Sequence, residues 1–187
     1  MRKHMSNLVL PFLFAGLTCL SATASAIDPV SLSGKTQSKV TAHFVGPNKL
    51  IVTDDKGGWF ERGLEMQQLG GWDTTYEVQA RLKVVSTSGT FRVRLDSPLA
   101  ITHQSNPALA FRTPTVKLGA DGGELKPLAV EQGTEFKNPA APEIGSDSVG
   151  YYNLDVQAYP PAGDFKSTVG TYSGVLSMTF EPVVKAP

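Results

Sequence analysis

Beyond a basic, apolar N-terminal stretch, catalysis would have to be built from two histidines, His43 and His103, and scattered acids and serines. A Ser/His/Asp triad would draw on His103, yet no Gly-x-Ser-x-Gly elbow presents a nucleophile. A zinc site made of two histidines and acids has no ligand spacing behind it. Asp54-Asp55-Lys56-Gly57-Gly58 and Asp121-Gly122-Gly123-Glu124 have the composition of calcium loops, but neither sets oxygen ligands at the EF-hand spacing. Glycine-rich turns are the simpler reading of both. No catalytic residue, metal-ligand set or cofactor is assigned. Binding chemistry is better represented. Arg81, Lys83, Arg92 and Arg94 alternate along two neighbouring segments and would form a basic patch for an acidic glycan or mucin. A solvated face that discourages β aggregation is the plainer alternative. Trp59, Phe60 and Trp72 flank a Gly-rich loop and could stack on a sugar, or simply anchor the loop.

What must position these residues starts with a leader. Arg2, Lys3 and His4 precede an apolar run from Leu8 to Leu20, and Ala22-Thr23-Ala24-Ser25-Ala26 ends in Ala-x-Ala. This predicts an export signal over residues 1–26, cleaved after Ala26. The apolar run is too short to span a bilayer, and Pro11 interrupts it. Gly16-Leu17-Thr18 before Cys19 fits a lipobox poorly. Cys19 is the single cysteine, so the exported chain is expected to have no disulfide and no thiol nucleophile. Lys plus Arg and Asp plus Glu number 17 each, and two of the bases fall in the leader. So balanced a charge gives no electrostatic case for nucleic acid or an acidic membrane surface.

After the leader no helical periodicity is sustained. The 18 glycines and 13 prolines punctuate short alternating runs, the pattern of an all-β sandwich. Tyr76, Val78, Ala80, Leu82 and Val84 alternate with polar residues, and Phe91, Val93 and Leu95 resume the pattern after Ser86-Thr87-Ser88-Gly89. The two runs are expected to form an antiparallel hairpin with one face in the core and one in water. Weaker strands are expected over 49–53, 108–118 (where Pro114 argues for an edge or a break) and 151–158. The last strand is strong: Tyr172, Gly174, Leu176, Met178 and Phe180 face one way until Pro182. Residues 54–71, 119–127 and 137–149 read as loops.

The N-terminal segment is the odd part. Residues 27–39 look like an unpacked arm. Val40-Thr41-Ala42-His43-Phe44 then alternates, and Gly46-Pro47 ends it. An ordinary first strand of the domain is the competing reading. With Leu50-Ile51-Val52 after the break, Phe91-Arg92-Val93-Arg94-Leu95 ending in Asp96-Ser97-Pro98-Leu99, Thr115-Val116-Lys117-Leu118 with Gly119 to Leu125, and above all Gly170-Thr171-Tyr172-Ser173-Gly174-Val175-Leu176-Ser177, the chain resembles chaperone–usher pilins. It is most similar to the alternate (class 5, alpha-type) fimbrial major subunits typified by colonization factor antigen I and the cable pili. The arm before Val40 is longer than that family leads one to expect, the tail runs past Phe180, and the Trp59–Trp72 loop has no match.

The resemblance implies an immunoglobulin-like β-sandwich that lacks a strand and is completed by donor-strand exchange. Residues 27–46 would be the extension carrying the donor strand, and 47–187 the pilin domain. Val40, Ala42 and Phe44 would enter a neighbour's groove. Leu50, Val52, Tyr172, Leu176, Met178 and Phe180 would line the groove that receives them. The partners implied are identical or related subunits, a periplasmic chaperone and an outer-membrane usher, with a host glycan or mucin at the assembled fimbria on a Gram-negative cell surface. The role is structural rather than enzymatic. The alternatives are a minor or tip-associated glycan-binding adhesin, and a self-contained periplasmic binding module in which residues 40–45 pair within their own domain.

Overall fold

The computed structural model describes residues 48–58, 60, 63–71 and 73–184, with residues 34–42 as backbone only. The expected strands are present, in two sheets facing each other across one core. In chain order they are β1 (Gly34–Ala42), β2 (Leu50–Asp54), β3 (Leu64–Gln68), β4 (Tyr76–Ser86), β5 (Thr90–Leu95), β6 (Ile101–His103), β7 (Arg112–Ala120), β8 (Lys126–Pro127), β9 (Thr134–Lys137), β10 (Ser148–Tyr159) and β11 (Tyr172–Pro182). A single helical turn, α1 (Phe165–Thr168), joins β10 to β11.

One sheet runs β8-β7-β10-β4, all antiparallel. The outer edge of β4 is shared end to end. Leu50 to Asp54 of β2 pair with Ser86 to Leu82, and Gln67 and Gln68 of β3 pair with Glu77 and Tyr76. The second sheet contains β9-β5-β11-β1, with β6 also on β11. β3 reaches from β4 to β1 and so joins the two sheets.

Period-two alternation explains the core. Leu82 and Val84 of β4, Val116 and Leu118 of β7, and Tyr152, Leu154 and Val156 of β10 face Phe91 and Val93 of β5 and Leu176, Met178 and Phe180 of β11; all are buried. Phe91 lies edge-on to Tyr152 at 5.2 Å between ring centres and stacks near Phe136 and Phe180 at 5.8 and 6.1 Å. Each such aromatic pair adds about 0.5–1.5 kcal/mol beyond the area it buries.

A buried polar pin holds one end of the sandwich. The Asn138 amide donates to Val84 O, Ser148 O and Ser148 Oγ, at 3.1 to 3.2 Å. Its Oδ1 accepts from Tyr152 Oη at 2.9 Å, and Ser148 Oγ donates to Ser86 O at 2.7 Å. Asn138 N itself donates to Gly89 O. The pin therefore ties β4 and β10 to the turn that leads into β5.

That turn corrects the expected hairpin. β4 and β5 do not pair; β4 pairs with β10, β2 and β3, and β5 pairs with β11 and β9. Residues 87–89 are a corner that carries the chain from one sheet to the other. Gly89 adopts a φ of 71°, its N–H donates to Ser86 Oγ, and Ser88 Oγ donates to Thr90 O. Two strands with buried alternate faces can share a face in a hairpin or confront each other across a core. Their sequences read alike in both arrangements.

Three smaller differences follow. β3 lies within a stretch expected to be loop, and β8 within another. β1 begins six residues before Val40, so residues 34–39 are paired strand rather than arm.

Candidate functional site: the outer edge of the last strand

β11 has two edges. Along one, Met178 to Pro182 pair with β5, and Tyr172 to Gly174 pair with β6. Asp96 fastens the middle: its N–H donates to Ser177 O, and its carboxylate accepts from Ser177 Oγ at 2.6 Å and Thr179 Oγ1 at 2.5 Å. Arg94 stands between Asp96 and Glu181, at 3.6 and 3.5 Å. The Asp96-Ser97-Pro98-Leu99 segment thus acts as a buckle on β11, with Leu99 in the core.

Among the described residues, the other edge of β11 is taken by β1 alone. The two run parallel in unbroken register from Gly34 opposite Tyr172 to Ala42 opposite Phe180. On its far side β1 meets β3 over Gly34 to Thr36, opposite Met66 to Leu64. Removing β1 would leave a nine-residue strand edge unpaired. Beneath that edge lie Tyr172, Leu176, Met178 and Phe180, each at most 2% exposed, with Leu50 and Met66 at 1% and 3%. Val52 is half-buried against the same core.

All six residues expected to line the groove therefore belong to one core region. On its far side β1 pairs with β3 over Gly34 to Thr36 only, while β2 pairs with β4. Sequence reasoning missed Leu64 and Met66. Their signal was a short alternation, Leu64-Glu65-Met66-Gln67, inside a Gly- and Trp-rich stretch. Val40 and Ala42 stand in register with Met178 and Phe180. Phe44 and His43 lie outside the described residues.

The Gly-Thr-Tyr-Ser-Gly segment has a steric cause. Gly170 has a φ of 157°, and a Cβ there would fall 1.9 Å from His103 Nε2. A Cβ on Gly174 would fall 2.3 Å from Ala100 O. The two glycines let β6 lie close against β11. Between them Tyr172 Oη donates to Thr168 O at 2.7 Å, and its ring meets Phe111 and His103 edge-on at 5.1 and 5.0 Å. Burial pushes the Tyr172 hydroxyl above its ordinary pKa. His103 is committed locally as well: Nδ1 accepts from the Ser105 and Asn106 N–H groups at 3.1 and 3.0 Å.

The other candidates separate. Because β4 and β5 lie in opposite sheets, Arg81 and Lys83 stand on one outer face of the molecule and Arg92 and Arg94 on the other. The single basic patch expected of them does not form. Arg81 pairs with Asp121, Arg92 with Glu135, and Arg94 with Asp96 and Glu181. Hydrogen bonds from Asn153 and then Arg81 hold the Asp121 carboxyl below the usual range. Asp54 Oδ1 accepts from the Lys56 and Gly58 N–H groups, which makes 54–58 a self-bonded turn. Trp59 and Trp72 lie outside the described residues. No group of three His, Cys, Asp or Glu side chains suited to a metal occurs among the described residues.

The chain is thus a two-sheet, all-β domain whose last strand pairs along one edge with β1. The family model of the CS1 type fimbrial major subunit matches residues 35–181, and the chain belongs to that family. No curated protein matches at the sequence level. Among solved structures, the CooA pilin subunit from enterotoxigenic Escherichia coli is similar at a TM-score of 0.44 and 12% identity, covering 72% of this chain and 99% of that one.

Proposed function

We propose that this chain is a polymerising structural subunit of an adhesive fimbria on the surface of a Gram-negative bacterium. A neighbour's N-terminal strand would insert into the groove beside β11, with no enzymatic step. The observation that carries the reading is that, among the described residues, the long outer edge of β11 is paired only by the first strand, β1. An open edge over buried apolar side chains is an aggregation hazard, and strand addition satisfies its backbone while side chains fill the groove. Val40, Ala42 and Phe44 are assigned as the donor residues, and Leu50, Val52, Tyr172, Leu176, Met178 and Phe180 as the groove. The same hazard calls for a periplasmic chaperone before assembly and an usher at the outer membrane. A contact between two different surfaces does not close on itself, so repetition yields a filament.

A second reading has its own support. β1 pairs with β11 of the same chain, as a self-contained module would have it. Thermal melts of the chain lacking residues 27–46, with and without a peptide spanning residues 34–46, separate the two. The fimbrial reading expects a truncated domain that aggregates or melts early and is rescued by the peptide. A truncated domain that is stable and indifferent to the peptide would leave the self-contained module standing instead.

A further inference from the structure

We propose that the chain has a self-sealed monomeric state, in which β1 closes its own groove in parallel with β11 and must withdraw before a neighbour's arm can enter. The proposal rests on the polymerisation reading above and adds a gate to it. Four observations carry it.

First, the pairing is continuous from Gly34 to Ala42, so the outer edge of β11 from Tyr172 to Phe180 is satisfied within one chain. Second, the seal is made with the less apolar half of the arm. The positions in register with Tyr172, Gly174, Leu176, Met178 and Phe180 are Gly34, Thr36, Ser38, Val40 and Ala42. By sequence, glycine, threonine and serine at the first three carry less apolar area than the run 40–45 further along the arm. Third, the seal grips on both sides only at Gly34 to Thr36, where β3 is the second neighbour; among the described strands, residues 37–42 are paired to β11 alone. A parallel pair is also slightly weaker per residue than an antiparallel one. Fourth, Ala42 at the end of β1 and Leu50 at the start of β2 are separated by seven residues. Advancing β1 four residues along β11, to bring the apolar run 40–45 to its centre, would shorten that spacing to three. A neighbour's arm carries no such constraint.

The self-seal thus pairs the edge from Tyr172 to Phe180 with a stretch of low apolar content, and exchange for a more apolar, untethered arm runs downhill. The state protects a lone subunit from aggregation, and leaving it sets a kinetic barrier to assembly.

The exported chain carrying Q37C and V175C tests this. The two positions face each other in register, Val175 is exposed, and the only native cysteine, Cys19, lies in the leader. Under oxidation the monomer pool is expected to form an intramolecular disulfide, seen as a faster band without reductant and loss of free thiol. That pool should give no polymer until reductant is added. K35C with S173C, two register steps away, provides a second pair should the first disturb folding. Absence of the intramolecular disulfide, or disulfides only between chains, overturns the seal. Polymer forming from oxidised monomer as fast as from reduced overturns the gate. A chain that forms the disulfide but never polymerises, even unmodified and reduced, sinks the polymerisation reading and the gate with it, while the seal stands on the disulfide.

Discussion

Asn138→Asp is nearly isosteric, yet it should be among the most damaging single changes in the domain, with a cost that depends on pH. Asn138 is 4% exposed, and its Nδ2 points at three oxygens: Val84 O, Ser148 O and Ser148 Oγ. The serine hydroxyl proton is already committed to Ser86 O, so it cannot turn to serve a carboxylate. An aspartate would keep the bond from Tyr152 Oη at the other oxygen but set a buried negative charge against the carbonyls. Such a group raises its pKa rather than remain ionised. A cost of about 3 kcal/mol at neutral pH corresponds to a rise of roughly two units at about 1.4 kcal/mol each, from an unfolded value near 4 to about 6. The unfolded chain releases the proton first as pH rises. The deficit is therefore small at about pH 4, grows through that window and levels off above about pH 6. Urea unfolding of N138D beside the unsubstituted chain at the two ends of the window reads this directly. A deficit below about 1 kcal/mol at neutral pH, or one equal at both ends, would refute the assignment of the amide as the donor that holds the pin together.

Three further outcomes are expected. Burial lifts the Tyr152 hydroxyl from 10.0 to about 12, so the stability it lends is intact below pH 10 and drains away as pH rises toward 12; Y152F should shift alkaline unfolding, followed by circular dichroism, to higher pH while costing about 1 kcal/mol near neutrality through the lost hydrogen bond. Gly170→Ala meets both the φ of 157° and the His103 ring, so it should destabilise by about 1–3 kcal/mol, and pairing it with His103→Ala should recover the steric part alone, as judged by melting temperature. If the proposed strand exchange holds, Phe44→Asp should leave a domain that folds but assembles no fibre; fibres of normal length on cells carrying it would remove Phe44 from the proposed donor strand.

The strands that could be read from the sequence were those whose alternation is long. β4, β10 and β11 each run eleven or twelve residues and bury every second side chain over most of their length, so period two stood out. β3 and β8 are five and two residues long and were lost among glycines. Which strands pair was less legible than which strands exist. The β4–β5 corner shows why, since alternation reports that a face is buried but not what it is buried against. The basic patch failed for the same reason, as Arg81 and Arg92 are separated by a change of sheet rather than by a turn. The buried residues of β11 were legible because they share one strand. The contact between β1 and β3 was not, because a three-residue pairing leaves almost no pattern.

The pairing of the first described strand with the last bears on the order in which the molecule folds. Contacts between distant parts of a chain carry the largest loop-closure cost and tend to form late. The partner of β1 is also the last strand to leave a channel that passes the chain from its N-terminus. The arm therefore has nothing to dock on until β11 has settled against β5 and β6, which makes β1 a poor member of any folding nucleus. Changes in the arm should leave the refolding rate nearly untouched and appear instead in how fast the finished domain comes apart.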